Sequence, residues 1–376
     1  MNITREPIVY FASNDSAILW WESDAEDTFG HGVTIYEPSA AARDVIATTT
    51  TVYSKDGRRN VHKAVLQDLT EDSLVGYRPY GPGFISTKLY SIRTYGPSSS
   101  IRIGVLNSPE GFFSALNYGT QIVLDKLEAD HLLSCGNILG PVSSISYDSW
   151  MDWYDSIYER VSGIGMTIAK ATNDVGIYSD LSLPASIDSA TYFACSLAGV
   201  RIVVLDTSKY GRKSLLNQQR DWAMNQFASS DWKEANNRII LTSDPIKTSL
   251  WDLSQSYGDG KGVDKFLAKN LYPLIENSGA DLVFTGRCHS YQRGVIPSKY
   301  PYLEGNPTHY ITCGGMAPAH TIRAWNDTSL FSYVVSSSSY HYVTIDVSTS
   351  GLTVTCKNTE TGEILDQFDV LSRILS

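Results

Sequence analysis

The hydrophobic pattern divides the chain into two textures. Up to about Tyr95 the apolar residues come in short β-branched and aromatic runs: Ala17-Ile-Leu-Trp-Trp21, Val33-Thr-Ile-Tyr36, Val45 to Tyr53, His62 to Leu66 and Lys88 to Thr94. Clusters of Gly, Asp, Asn and Pro separate them, the spacing of a small all-β sandwich. Gly96-Pro-Ser-Ser-Ser100 then reads as a linker. From Ile101 onward compact apolar strands (Ile101–Leu106, His131–Cys135, Arg201–Leu205, Arg238–Leu241, Asp281–Phe284) alternate with helix-like stretches. In the first of these, Trp150, Trp153, Tyr154, Ile157 and Tyr158 fall on one helical face. Leu216–Phe227 and Val263–Asn277 are the other two, and this alternation predicts an α/β domain. Past Thr308 the chain is strand-rich again, through Tyr342–Asp346 and Leu352–Cys356.

Bulk properties narrow the picture. A chain of 376 residues exceeds what one core usually spans, so the expected organisation is residues 1–96 as a β-sandwich and 97–376 as a second domain. The formal net charge of -10 argues against nucleic acid or an anionic membrane surface as partner. No apolar run approaches the roughly 18 residues that a membrane span needs. The first residues, Met1-Asn-Ile-Thr-Arg-Glu-Pro7, lack the basic-then-apolar order of a signal peptide. Cys135, Cys195, Cys288, Cys313 and Cys356 are odd in number and scattered, which predicts buried free thiols. Both features favour an intracellular location; a removed leader would instead make the protein secreted.

Several segments in order resemble the purple acid phosphatases of the calcineurin-like metallophosphoesterase family. They are Val61–Arg78, Ser146–Tyr154, Ile202–Thr207, Gln218–Phe227, Leu271–Arg293 and Glu363–Asp369. Leu271–Arg293 follows that family's pattern of helix, strand and G-H-x-H-S-Y-x-R, with Gly286-Arg-Cys-His-Ser-Tyr-Gln-Arg293 at its end. The resemblance implies a four-layer α/β/β/α sandwich preceded by a fibronectin-III-like domain.

It also implies where a dinuclear metal site would stand, and there the sequence departs from the family. Such a site needs carboxylates to offset two cations, with imidazoles and an amide completing the shells. Ser108 stands in place of the first aspartate (Asn107 if the alignment shifts by one), and Asn137 in place of the bridging one. Gly140 replaces the tyrosinate, Asp174 and Ser243 replace histidines, and Arg287 takes the place of the first histidine in G-H-x-H. Only Asn173 and His289 keep their types, and both are neutral. A guanidinium at Arg287 puts a permanent cation where a metal would sit, with Asp174 or Asp244 as its expected ion-pair partner.

The expectation is therefore a pseudoenzyme with no catalytic residue, no metal and no cofactor. Its role would be structural, storage or interaction, with self-association left open by the 23 tyrosines and few charges. Two alternatives stand beside it: a phosphomonoesterase with non-standard ligands, and an anion-binding module built on Arg287.

Overall fold

The computed structural model describes residues 2–111, 113–139, 147–171, 174, 191–208, 213–245, 270–296, 307–316 and 332–373. Gly140 and Asn173, and the first seven residues of the expected helix Val263–Asn277, lie outside them.

The first runs do become strands. One sheet orders Ile3–Ala12, Ala17–Ser23, Gly57–Leu66 and Thr48–Ser54; a second orders Arg43–Ile46, Gly32–Tyr36, Leu74–Gly81 and Phe84–Ile85, with Tyr90–Arg93 also on Leu74–Gly81. Alternate side chains of the two sheets (Leu19, Trp21, Val33, Ile35, Ala64, Val75 and Tyr77) meet in a shared core. The other face of the four-stranded sheet is also buried, because Ile8, Ile18, Trp20, Val52 and Val61 join the large core of the remaining chain. Trp20 there lies 5.1 Å, centroid to centroid, from Tyr154. That explains the unbroken burial of Ala17–Ser23, which alternating polarity would not produce.

The rest of the chain builds two mixed sheets. In the six-stranded one, Gly165–Ile168, His131–Ser134 and Ile101–Val105 run parallel, and His341–Ser348, Gly351–Asn358 and Ile364–Leu371 follow antiparallel. In the seven-stranded one, Val200–Leu205, Asn237–Thr242, Leu282–Thr285 and Thr308–Cys313 are parallel and central. Phe193–Leu197 flanks them on one side, with Tyr291–Ile296 and then Ser332–Ser337 on the other. Parallel strands are apolar throughout because both faces are covered. Val203, Leu205, Ile240 and Val283 pack on Ala223, Trp232, Tyr272 and Ile275. Ile202, Val204, Ile239, Leu241 and Phe284 face the large core with Val105, Val343 and Val354.

Helices form where the periodicity places them, over Tyr147–Val161 and Lys213–Ala228. The first buries Trp150, Trp153, Tyr154, Ile157 and Val161 on one face. In the described part of the third expected helix, Tyr272–Glu276 is helical, with Pro273 in its first turn. The expected fold class is corrected accordingly. Of the described residues 45% are in strands and 18% in helices, spread over several sheets, so the fold is strand-rich and the four-layer α/β/β/α sandwich does not stand. The reason is that, among the described residues, the strands after Cys313 pair antiparallel and are added to both parallel sets, so strand outweighs helix.

Candidate functional site

Parallel strands deliver their carboxyl ends to one side of a sheet, and the loops that follow them meet there. Ser108 N–H donates to Gly136 O (3.2 Å), Glu110 N–H to Asn137 O (3.0 Å) and Gly286 N–H to Ser243 O (3.1 Å). Arg287 N–H donates to Ser108 Oγ at 2.8 Å, tying the loop of one mixed sheet to that of the other. Ser108, Glu110, Asn137 and Arg287 all adopt left-handed backbone, with φ of 52°, 46°, 59° and 66°. Non-glycine residues rarely do so, and tertiary contacts must hold them there. At Gly136 (φ 77°) a Cβ would stand 2.2 Å from Ala169 O, so the close approach of two loops requires glycine.

Most of the polar side chains at this junction find partners within it. Arg287 Nη1 lies 2.6 Å from Asp244 Oδ1, with the carboxylate almost fully buried and the guanidinium about a quarter exposed. Of the two aspartates the sequence offers Arg287, this is the one paired with it. Asp174 plays a different part. Fully buried, it accepts the backbone N–H groups of Asn137 (2.7 Å), Ile138 (2.8 Å), Leu139 (3.1 Å) and Ala171 (3.3 Å). Burial pushes its carboxyl up to about 6, outweighing those four donors, which favour the anion.

Ser243 Oγ lies 2.9 Å from Thr207 Oγ1 and 3.4 Å from Asp244 Oδ2, a neutral link beside the ion pair. His289 Nε2 sits 2.9 Å from Glu110 Oε1, and Asn137 Nδ2 donates to the same oxygen. Glu110 is the residue sequence reasoning missed. It stands alone in Pro109-Glu-Gly111, and only the folded loop shows that it joins two candidate positions. Beneath them the amide of Asn107 donates to Cys135 Sγ (3.3 Å) and Cys313 Sγ (2.8 Å) and accepts from Cys135 N–H (2.6 Å). Burial drives the Cys135 thiol well up, so this is a neutral floor. All five cysteines are buried and free.

The structure thus joins Ser108, Asn137, Asp174, Ser243 and Arg287 into one hydrogen-bonded junction, with His289 beside it near Glu110; Gly140 and Asn173 fall outside the described residues. Among the described residues no three His, Cys, Asp or Glu side chains converge in a way that could hold a metal ion. A cleft of about 430 Å³ lies elsewhere, between the four-stranded sheet and helix Tyr147–Val161. At its base Glu22 is buried against Arg5 (2.8 Å) and Arg59 (3.5 Å), and Tyr147 donates to it.

No family model matches the chain, and no curated protein matches it. Among solved structures it is similar to GAP50, described as the anchor in the inner membrane complex of Plasmodium. Identity is 17%, coverage is 73% of this chain and 89% of that one, and the TM-score is 0.54. A hypothetical protein from Thermus thermophilus (10% identity, 72% and 99% coverage) gives a TM-score of 0.28. A Paenibacillus cycloisomaltooligosaccharide glucanotransferase (8%, 77% and 45%) gives 0.22. Scores this low carry no argument. The resemblance to purple acid phosphatases is corrected by these findings, since none of them points to such an enzyme. It rested on short apolar strand and helix segments that sheet packing alone demands, while the ligand residues that would identify the family are replaced. What the comparisons show is a fold shared with GAP50.

Proposed function

We propose that the chain is a non-catalytic structural or interaction protein. One observation carries this reading: the polar side chains at the carboxyl ends of the parallel strands are turned on one another. Arg287 is held by Asp244, Asn137 by Glu110 and Asp174 by four backbone amides, while His289 stands 2.9 Å from Glu110. A site built for chemistry aims charged groups at a ligand, whereas these are used to fix loop conformation. The fold likeness to a protein described as an anchor accords with this role, though at 17% identity it speaks for fold alone.

An anion seated on Arg287 would have to displace a carboxylate 2.6 Å away, so the ion pair weighs against an anion-binding module. The test is hydrolysis of p-nitrophenyl phosphate from pH 4 to 8, together with elemental analysis of the purified protein. Turnover no higher than that of a heat-treated sample, with metal well below one ion per chain, is the expected outcome. Turnover that survives purification and is lost on chelation would overturn the proposal.

A further inference from the structure

The loop of residues 24–30 joins the two sheets of the sandwich, between strands Ala17–Ser23 and Gly32–Tyr36. Its large apolar side chain, Phe29, is 73% exposed, so hydrogen bonds to buried groups are what hold the loop down. Asn60 Nδ2 donates to Ala25 O and Asp27 O, both at 2.9 Å, and Ala25 N–H donates to Ser23 Oγ at 3.3 Å. His31 Nε2 lies 3.0 Å from Asp27 O. A carbonyl only accepts, which puts the His31 proton on Nε2 and leaves Nδ1 bare, buried and without a hydrogen-bond partner.

Under the loop, His31 faces His62 with ring centroids 4.2 Å apart, and His62 lies 5.1 Å from the ring of Trp21. Both imidazoles are almost wholly buried. Ser23 Oγ and Thr49 Oγ1 stand 2.7 and 2.9 Å from the two nitrogens of His62. The charged groups nearby are turned elsewhere. Asp24, Glu26 and Asp27 of the loop are exposed, and Asp24 accepts from Asn2 N–H. Arg58 is exposed and donates to Glu26 O, while Glu22 is held by Arg5 and Arg59. On the other sheet Tyr80 stands over Gly32, and burial and then Asp44 raise its phenol, which keeps it neutral. A proton entering this cluster meets a ring, two hydroxyls and a second imidazole.

We propose that the loop of residues 24–30 is an acid-released cover: protonation of the histidine pair beneath it frees the loop while both sheets of the sandwich stay folded. The closed loop shuts the pair from water, and the open loop wets it, so the two states differ in proton affinity. In the closed state burial, and then His31, hold His62 down to about 3. In the open state a wet imidazole returns towards about 6.5. The open state therefore takes up the proton first, and opening gains as pH falls below about 6.5. Two imidazolium rings at this separation would also repel each other, which adds to the release of His31 from Asp27 O.

The test is hydrogen exchange of the full chain at pH 7 and pH 5, read by mass spectrometry and corrected for intrinsic exchange rates. Ala25 N–H, which donates to Ser23 Oγ, and Ala47 N–H, which donates to His31 O, report the loop. Amides of Leu19, Val33 and Val75 report the sandwich core. Loop amides should exchange about tenfold faster than core amides or more at both pH values, the mark of local opening. Their opening should rise by up to about 25-fold from pH 7 to pH 5, the ratio set by His62 at about 3 closed and about 6.5 open. In the double variant His31→Gln/His62→Gln that rise should vanish. Loop amides no faster than the core, a wild-type rise below about threefold, or a rise that persists in the double variant would each overturn the proposal. The first two outcomes are read on wild type, so they decide the matter even where the variant fails to fold.

Discussion

The N-terminal sandwich and the loop junction are held together by opposite means. In the sandwich, Leu19, Trp21, Val33, Ile35 and Tyr77 contribute by leaving water, a nondirectional effect that any well-packed apolar set supplies. At the junction, Asp174, Asp244, Glu110 and Arg287 contribute only because each finds a partner at the right distance. Burying such groups without partners is costly. The comparison teaches that truncation in the sandwich costs volume, while truncation at the junction costs whatever the surviving partner loses.

The largest effect should come from the sandwich. Trp21→Ala removes one of the largest fully buried side chains and is expected to lower stability by about 3–5 kcal/mol, measured by urea unfolding. Arg287→Ala should cost less, about 1–3 kcal/mol, because the guanidinium is partly exposed and solvent offsets part of its loss. The double variant Arg287→Ala/Asp244→Ala should recover some of that cost, since the buried carboxylate leaves as well. If the double variant were less stable than the sum of the singles, the ion pair would not be what holds Asp244 in place.

Acid should separate the two regions by sign, with the smallest effects. His62, in the sandwich, is held down to about 3 by burial and then by neighbouring His31. The unfolded chain therefore takes up its proton first, and the stability His62 contributes is complete above about 6.5 and lost as pH falls towards 3. Asp174 is pushed up to about 6. Here the folded chain takes up the proton first, so stability is gained as pH falls through 6 towards the unfolded value near 3.9. Between pH 7 and 5, the gap between wild type and His62→Gln should move against wild type. The gap between wild type and Asp174→Asn should move in its favour by about 1 kcal/mol. His131, His309 and His341 are also held down by burial, so melting temperature as a whole should fall on acidification. A melting temperature that rises from pH 7 to 5 would contradict these assignments.

The same contrast sets how much the sequence discloses. Alternation and helical spacing are local, so Ala17–Ser23, Ile101–Val105, Tyr147–Val161 and Lys213–Ala228 can be read from neighbours in the chain. The balance of strand over helix could not be read this way. Short apolar segments beyond Thr308 have the same composition whether they extend a parallel set or pair antiparallel, and only distant partners decide. At the junction the candidate positions Ser108, Asn137, Asp174, Ser243, Arg287 and His289 do come together. What remained hidden was who holds whom. Asp244 and Asp174 were equivalent candidates for Arg287, and Glu110 carried no signal, because each pairing spans tens of residues or more.

Trp20 and Trp21 are consecutive, so an extended backbone sends them to opposite faces. Trp21 fills the sandwich, and Trp20 reaches across to Tyr154 on helix Tyr147–Val161. The first hundred residues are thus not a detachable cartridge. A protease or an engineer who severs the chain at Gly96 would obtain two fragments with facing greasy wounds, prone to clump apart and soluble only when recombined.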